Sequence, residues 1–138
     1  MGKLIFKERG EEKGMKRFKV EVSEDRFRIH GSVQEVGEDL LVTLWGGTKP
    51  HIGAVGVAIP RPSLKDPQKW SATSSVFTFI GHKEDSLVKK ISERLASHLK
   101  RNVVVTAGLH WEGIRSKEIK LIEDLTEKMS GQILKRLI

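Results

Sequence analysis

The chain has 138 residues, the size of one domain and enough for a core that buries roughly 68% of the surface an unfolded chain exposes. It contains no cysteine, which excludes disulfides, thiolate metal sites, iron–sulfur clusters and a cysteine nucleophile. A net charge of +7 and a pI near 9.8 permit nucleic-acid binding, but the basic residues alternate with acids at 7–17 (KERGEEKGMKR) and 83–94 (KEDSLVKKISER), which argues for a mixed, solvated surface instead.

The first ten residues, MGKLIFKERG, lack a signal-type apolar core, and no apolar run is long enough to span a bilayer. A cytoplasmic protein is expected. High Lys and Glu without Cys also suit a protein built for heat.

In chain order, the first half reads as strands. Residues 3–7 offer one, separated by the stretch from Gly10 to Gly14 from the next. Phe18, Val20 and Val22 then alternate with Lys19 and Glu21, and Phe27 and Ile29 alternate with Arg26, Arg28 and His30. Period two with one polar face is the pattern of a half-buried antiparallel strand, and Ser23-Glu24-Asp25 is the turn between the two runs. Leu40–Trp45 is more continuously apolar and so more central. Ala54–Ile59 and Ser75–Ile80 complete the strand candidates of this half.

The second half changes period. Leu87, Ile91, Leu95 and Leu99 recur every fourth residue, predicting an amphipathic helix over Lys83–Lys100. Val103–Val105 is a short buried strand by its β-branching. Ile119, Ile122, Leu125, Met129, Ile133 and Leu137 mark a second helix from Ser116 to the end, with Ser116 as N-cap and Gly131 as a weak point inside it. The expectation is a single domain over residues 1–138 of α+β class, a mostly antiparallel sheet with two long helices. The apolar stripe of the last helix, continuing to the terminus, predicts a homodimer.

Polar and glycine-rich signals gather in four connections. Gly46 and Gly47 can bring backbone close to a ligand, and Lys49 and His51 follow with a charge and a titratable ring; the alternative is a plain hairpin loop. Arg61–Ser75 reads as a long loop with prolines, Trp70 and the hydroxyls of Ser71, Thr73, Ser74 and Ser75, and long loops tend to be functional; the alternative is a hydroxyl-rich sheet edge. At Gly81-His82-Lys83-Glu84-Asp85 a strand turns into a helix, whose free amides suit an anion, whereas Glu84 and Asp85 complement the helix dipole and repel one. His110, in Gly108-Leu109-His110-Trp111, stands past a strand end as ligand, acid–base or structural group. No histidine pair has metal-ligand spacing. A G-x-S-x-G elbow, a Walker A sequence and a G-x-G-x-x-G fingerprint are all missing.

Taken together, GGTKPHIGAVGVAIPR (46–61), SATSSVFTFIGHKED (71–85) and VVVTAGLHWEGI (103–114) resemble the LpdD-like prenylated flavin chaperone family, the D-type accessory subunit beside UbiD-like aromatic-acid decarboxylases. The resemblance covers Leu40–Leu121. A more distant likeness is to proteasome-assembling chaperone 4, a small dimeric α+β protein that binds protein partners. The first resemblance implies a non-catalytic maturation factor that binds prenylated FMN or FMN and serves a UbiD-like decarboxylase or another client. The second implies an assembly factor without a small ligand. Under the first, the ligand-binding residues are Gly46, Gly47, Lys49, His51, Arg61, Ser71, Thr73, Ser74, Ser75, Gly81, His82, Lys83 and His110, with a flavin phosphate held by hydroxyls, imidazoles, the Arg fork and the helix N-terminus. Trp45, Trp70 and Trp111 are candidates to stack on the ring.

Overall fold

The computed structural model describes residues 14–79 and 84–138. The strand expected at residues 3–7, the end of the strand expected to reach Ile80, and the site candidates Gly81, His82 and Lys83 lie outside the described residues. The elements are β1 (Arg17–Glu24), β2 (Phe27–Val36), β3 (Asp39–Gly47), β4 (Ala54–Pro62), β5 (Trp70–Thr78), α1 (Asp85–Leu99), β6 (Val103–His110) and α2 (Ser116–Leu137). The strands form one sheet in the order β1-β2-β3-β6-β4-β5. All neighbours are antiparallel except β3 and β6, so the expected α+β class with a mostly antiparallel sheet and two helices is the observed one.

Alternation sorts the side chains onto two faces. Ile29, Val33, Leu40, Val42, Leu44, Val103, Val105 and Ala107 are buried on one face. There α1 covers β4, β5 and β6, α2 covers β1 and β2, and the helices touch each other. Val88, Ile91 and Leu95 of α1 and Leu125, Met129 and Ile133 of α2 complete the core. Most of the stripe of α2 is thus engaged with its own sheet and α1, while its first member, Ile119, and Ile138 past the helix are exposed. Where the helices meet, Arg94 donates to the Glu127 carbonyl at 3.0 Å and to Ser130 Oγ. Among the described residues no helix is long and apolar enough to cross a membrane.

Three expectations need correction. The long loop at Arg61–Ser75 is two strand arms joined by residues 63–69, where Ser63 N–H meets the Lys69 carbonyl at 2.7 Å and Ser63 Oγ accepts from Lys65 N–H at 3.2 Å. Of the prolines that suggested a loop, Pro67 lies in this connection, whereas Pro60 and Pro62 fit within β4, Pro62 at its last position. The short strand at Val103–Val105 continues to His110, because β4 pairs with it as far as Ala107 and β3 to its end. Ser116 is not the N-cap of α2. Arg115 is, and its N–H donates to the Glu118 carboxylate at 3.0 Å, so Glu118 does the capping from the first turn.

α1 is tied to edge strand β5 by a polar cluster. Ser74 Oγ donates to Glu93 Oε2 at 2.5 Å, and Lys89 contacts the same oxygen. Partial burial pulls the Glu93 carboxyl upward, but the hydrogen bonds from Lys89 and Ser74 outweigh it and hold the group below its ordinary 4.5. A depressed carboxyl stabilises the fold above its unfolded value and ceases to as pH falls below it. The stability gap between the wild type and Glu93→Gln, expected to be at most about 1 kcal/mol for this part-exposed group, should therefore be widest at neutral pH and close below pH 4.5; thermal melts across the acid range measure it. A second expectation concerns Gly131. A Cβ there would meet no atom closer than 3.9 Å, so Gly131→Ala should raise stability by about 1 kcal/mol, read by urea unfolding.

Candidate functional site

The C-terminal ends of β3 and β6 lie side by side, Gly46 opposite Leu109 and Gly47 opposite His110. The chain leaving β3 must enter β4 on the far side of β6, and it does so by arching over the end of that strand. Thr48 N–H holds the His110 carbonyl at 3.0 Å and Gly53 N–H holds the Ala107 carbonyl at 2.8 Å. Glycines make the crossing possible. Gly47 has φ of +93°, and a Cβ on it would overlap the His110 carbonyl. A Cβ on Gly108 would overlap the His51 carbonyl above it, and one on Gly53 would come within 2.5 Å of Glu84 Oε2.

Glu84 is the chemical centre of this end. It is the N-cap residue of α1, and its carbonyl accepts the first helical hydrogen bond, from Val88 at 3.0 Å. Its side chain turns inward and is only 8% exposed. Oε1 accepts from Leu109 N–H at 3.1 Å and lies 3.5 Å from His51 Nε2. The imidazole of His51 is anchored from its other side, where Nδ1 sits 2.9 Å from the Lys49 carbonyl. A carbonyl only accepts, so Nδ1 carries the proton in that bond, and a second proton on Nε2 would face the carboxylate. His110 points outward, its Nε2 3.1 Å from Glu112 Oε1. Among the described residues no three His, Asp or Glu side chains group to hold a metal ion.

The expected site residues fall into separate groups. Gly46, Gly47, Lys49, His51 and His110 meet at the crossing. Arg61, Ser71, Thr73, Ser74 and Ser75 lie along the β4–β5 hairpin, where Ser71 pairs with Arg61 and Ser75 with Val57. Arg61 is seven residues from Ala54, about 23 Å along an extended strand, so it stands at the other end of the sheet. There Arg61 Nε donates to Thr73 Oγ1 at 2.7 Å. Ser74 faces the helices and serves Glu93. The tryptophans are dispersed too. Trp45 stacks on His30 with ring centres 5.5 Å apart, Trp70 lies under Lys100, and buried Trp111 meets Phe27 edge-on at 5.1 Å. Trp111 borders the crossing, where a Cβ on Gly46 would come 3.2 Å from its Cη2, and Trp45 pairs with Gly108 beneath it.

Residues 23–138 match the family described as the prenylated flavin chaperone LpdD-like domain. The chain belongs to that family. Its similarity to Protein LpdD of Lactiplantibacillus plantarum is 27% identity over 108 residues, covering 78% of this chain and 76% of that protein. The fold is similar to a chain in the crystal structure of a novel chaperone complex for yeast 20S proteasome assembly, with a TM-score of 0.53 at 12% identity, covering 91% of this chain and 99% of that one. That second likeness concerns the fold alone. Family membership supports an accessory chaperone role.

The residue that sequence reasoning passed over as a ligand contact is Glu84. Its only signal is an acid preceding an amphipathic helix, which reads as a solvated dipole partner. The glycines test the crossing directly. Gly108→Ala should destabilise the protein by about 1–3 kcal/mol through forced contact with the His51 backbone, measured by denaturant unfolding.

Proposed function

We propose that the protein is a non-catalytic accessory chaperone of the cytoplasm that binds prenylated FMN, or a related phosphate-bearing ligand, and assists a UbiD-like decarboxylase. The observation that carries this reading is the family match over residues 23–138, whose description names the prenylated flavin. The geometry that supports it is the crossing, where His51 lies 3.5 Å from the buried Glu84 carboxylate and Gly47 and Lys49 are exposed. Arg61 with the hydroxyls of Ser71, Thr73 and Ser75 is a separate polar group on the β4–β5 hairpin, and its guanidinium fork suits the phosphate of a ligand seated there rather than at the crossing.

The working unit we propose is a homodimer. The sheet face turned away from the helices supports this. It presents Leu41, Val57, Ile59 and Phe77, with Ile59 58% and Phe77 65% exposed, and a broad apolar sheet face of this kind marks an interaction surface. The same face favours the second reading, a protein-assembly factor that docks partners without a small ligand, to which the fold likeness also points.

Native mass spectrometry of the protein made in cells that also produce prenylated flavin separates the two. The cofactor reading expects a dimer carrying a flavin-sized mass, lost in His51→Ala or Arg61→Ala. A dimer that stays bare in excess cofactor favours protein-only assembly. Ile59→Asp combined with Phe77→Asp should yield a folded monomer, and a dimer unchanged by both substitutions places the interface elsewhere.

A further inference from the structure

Beside Glu84 lies a cavity of about 280 Å³ between the first turn of α1, the end of β6 and the first turns of α2. Its apolar wall is Leu87, Leu109, Trp111, Ile114, Ile119 and Ile122. The charged side chains that line it are both acids, Glu84 and Glu123, and no Lys or Arg among the described residues does so. His110, at its edge, is drawn to Glu112. This is the reverse of an anion site. Glu84 is buried and Glu123 exposed; a buried carboxylate repels phosphate where water is scarce, and Glu84 already complements the positive end of α1.

Size points the same way. Sites that enclose a whole drug-sized ligand measure roughly 300–1,000 Å³, so this cavity encloses one end of a nucleotide. We infer that the cavity takes the uncharged apolar end of the ligand, a flat heteroaromatic ring or its prenyl-derived portion, and keeps the phosphate outside. The inference rests on the proposed flavin reading and gives it an orientation: apolar end against Trp111 and the isoleucines of α2, charged end out in solvent, since Arg61 stands at the other end of the sheet.

The test uses lumichrome, the flavin-like ring without the sugar phosphate, titrated into the purified protein by fluorescence and compared with prenylated FMN. Ile119 is 52% exposed, so Ile119→Arg puts a charge at the cavity wall without disturbing the core, and circular dichroism confirms that the variant is folded. Lumichrome should bind the wild type, resist competition by inorganic phosphate, and lose about tenfold or more in affinity in Ile119→Arg, since the substitution replaces apolar wall against the ring with a polar, hydrated side chain. Prenylated FMN should weaken by a similar factor. Prenylated FMN binding that is equal in wild type and variant overturns the cavity assignment and leaves the flavin reading standing. Lumichrome binding that the variant loses, with no prenylated FMN binding at all, overturns the flavin reading and leaves the cavity as a site for neutral rings. Absence of binding by either molecule overturns both.

Discussion

The insertion of β6 between β3 and β4 is the constraint from which the rest of the molecule follows. A strand made of residues 103–110 pairs in parallel with one neighbour and antiparallel with the other, and it carries Val103, Val105 and Ala107 into the centre of the core. The connection from β3 to β4 must then reach across two inter-strand gaps, about 10 Å, over the end of the inserted strand. It does so only because Gly47 and Gly108 leave no side chain in its path. The same arch lowers His51 onto Glu84. Architecture and candidate chemistry are therefore one problem, solved by the same few glycines.

Electrostatics at this end run against the usual expectation for a helix that starts beside a ligand site. Helix N-termini attract anions through their free amides and dipole. Here the N-cap residue supplies its own carboxylate, turned inward and held by the Leu109 amide. A carboxylate so placed settles the helix end and gives the neighbouring cavity a negative lining. Positive and hydroxyl groups are concentrated elsewhere, notably at Arg61 and Thr73 on the other end of the sheet. The molecule thus separates an apolar, acid-lined recess from a hydroxyl-bearing strand pair that carries Arg61.

Much of the fold could be read from hydropathy. Phe18 to His30 alternate with period two and form β1 and β2; the four-residue spacing from Leu87 to Leu99 forms α1. What hydropathy missed was decided by tertiary contact. Gly108-Leu109-His110 has no strand signature of its own, and extends β6 because the end of β3 pairs with it. Trp70 to Ser74 look like loop because Ser and Thr replace aliphatics, which an edge strand with one polar face tolerates. The arrangement of the site was the least legible. His51 and His110 stand 59 positions apart and meet at one end of the sheet only through strand order, which local patterning does not encode. Glu84 looks solvated by its neighbours in sequence, and only the packing of Gly53 against it shows that it is buried.

The strand order also sets the timetable of folding. β1, β2 and β3 are consecutive hairpin neighbours and can pair as soon as they are synthesised. β4 and β5 can form their own hairpin but have no ladder to join, since every hydrogen bond linking them to the rest of the sheet runs through residues 103–107. Until those residues leave the ribosome, the chain is two small sheets, each with an unsatisfied edge and an uncovered apolar face. Closing contacts between segments this far apart is slow, and exposed edges in such intermediates invite association. A chain of this topology spends the last part of its synthesis needing shelter, and it acquires it in two steps, the edges when β6 joins the two sheets and the face of β1 and β2 when α2 covers it.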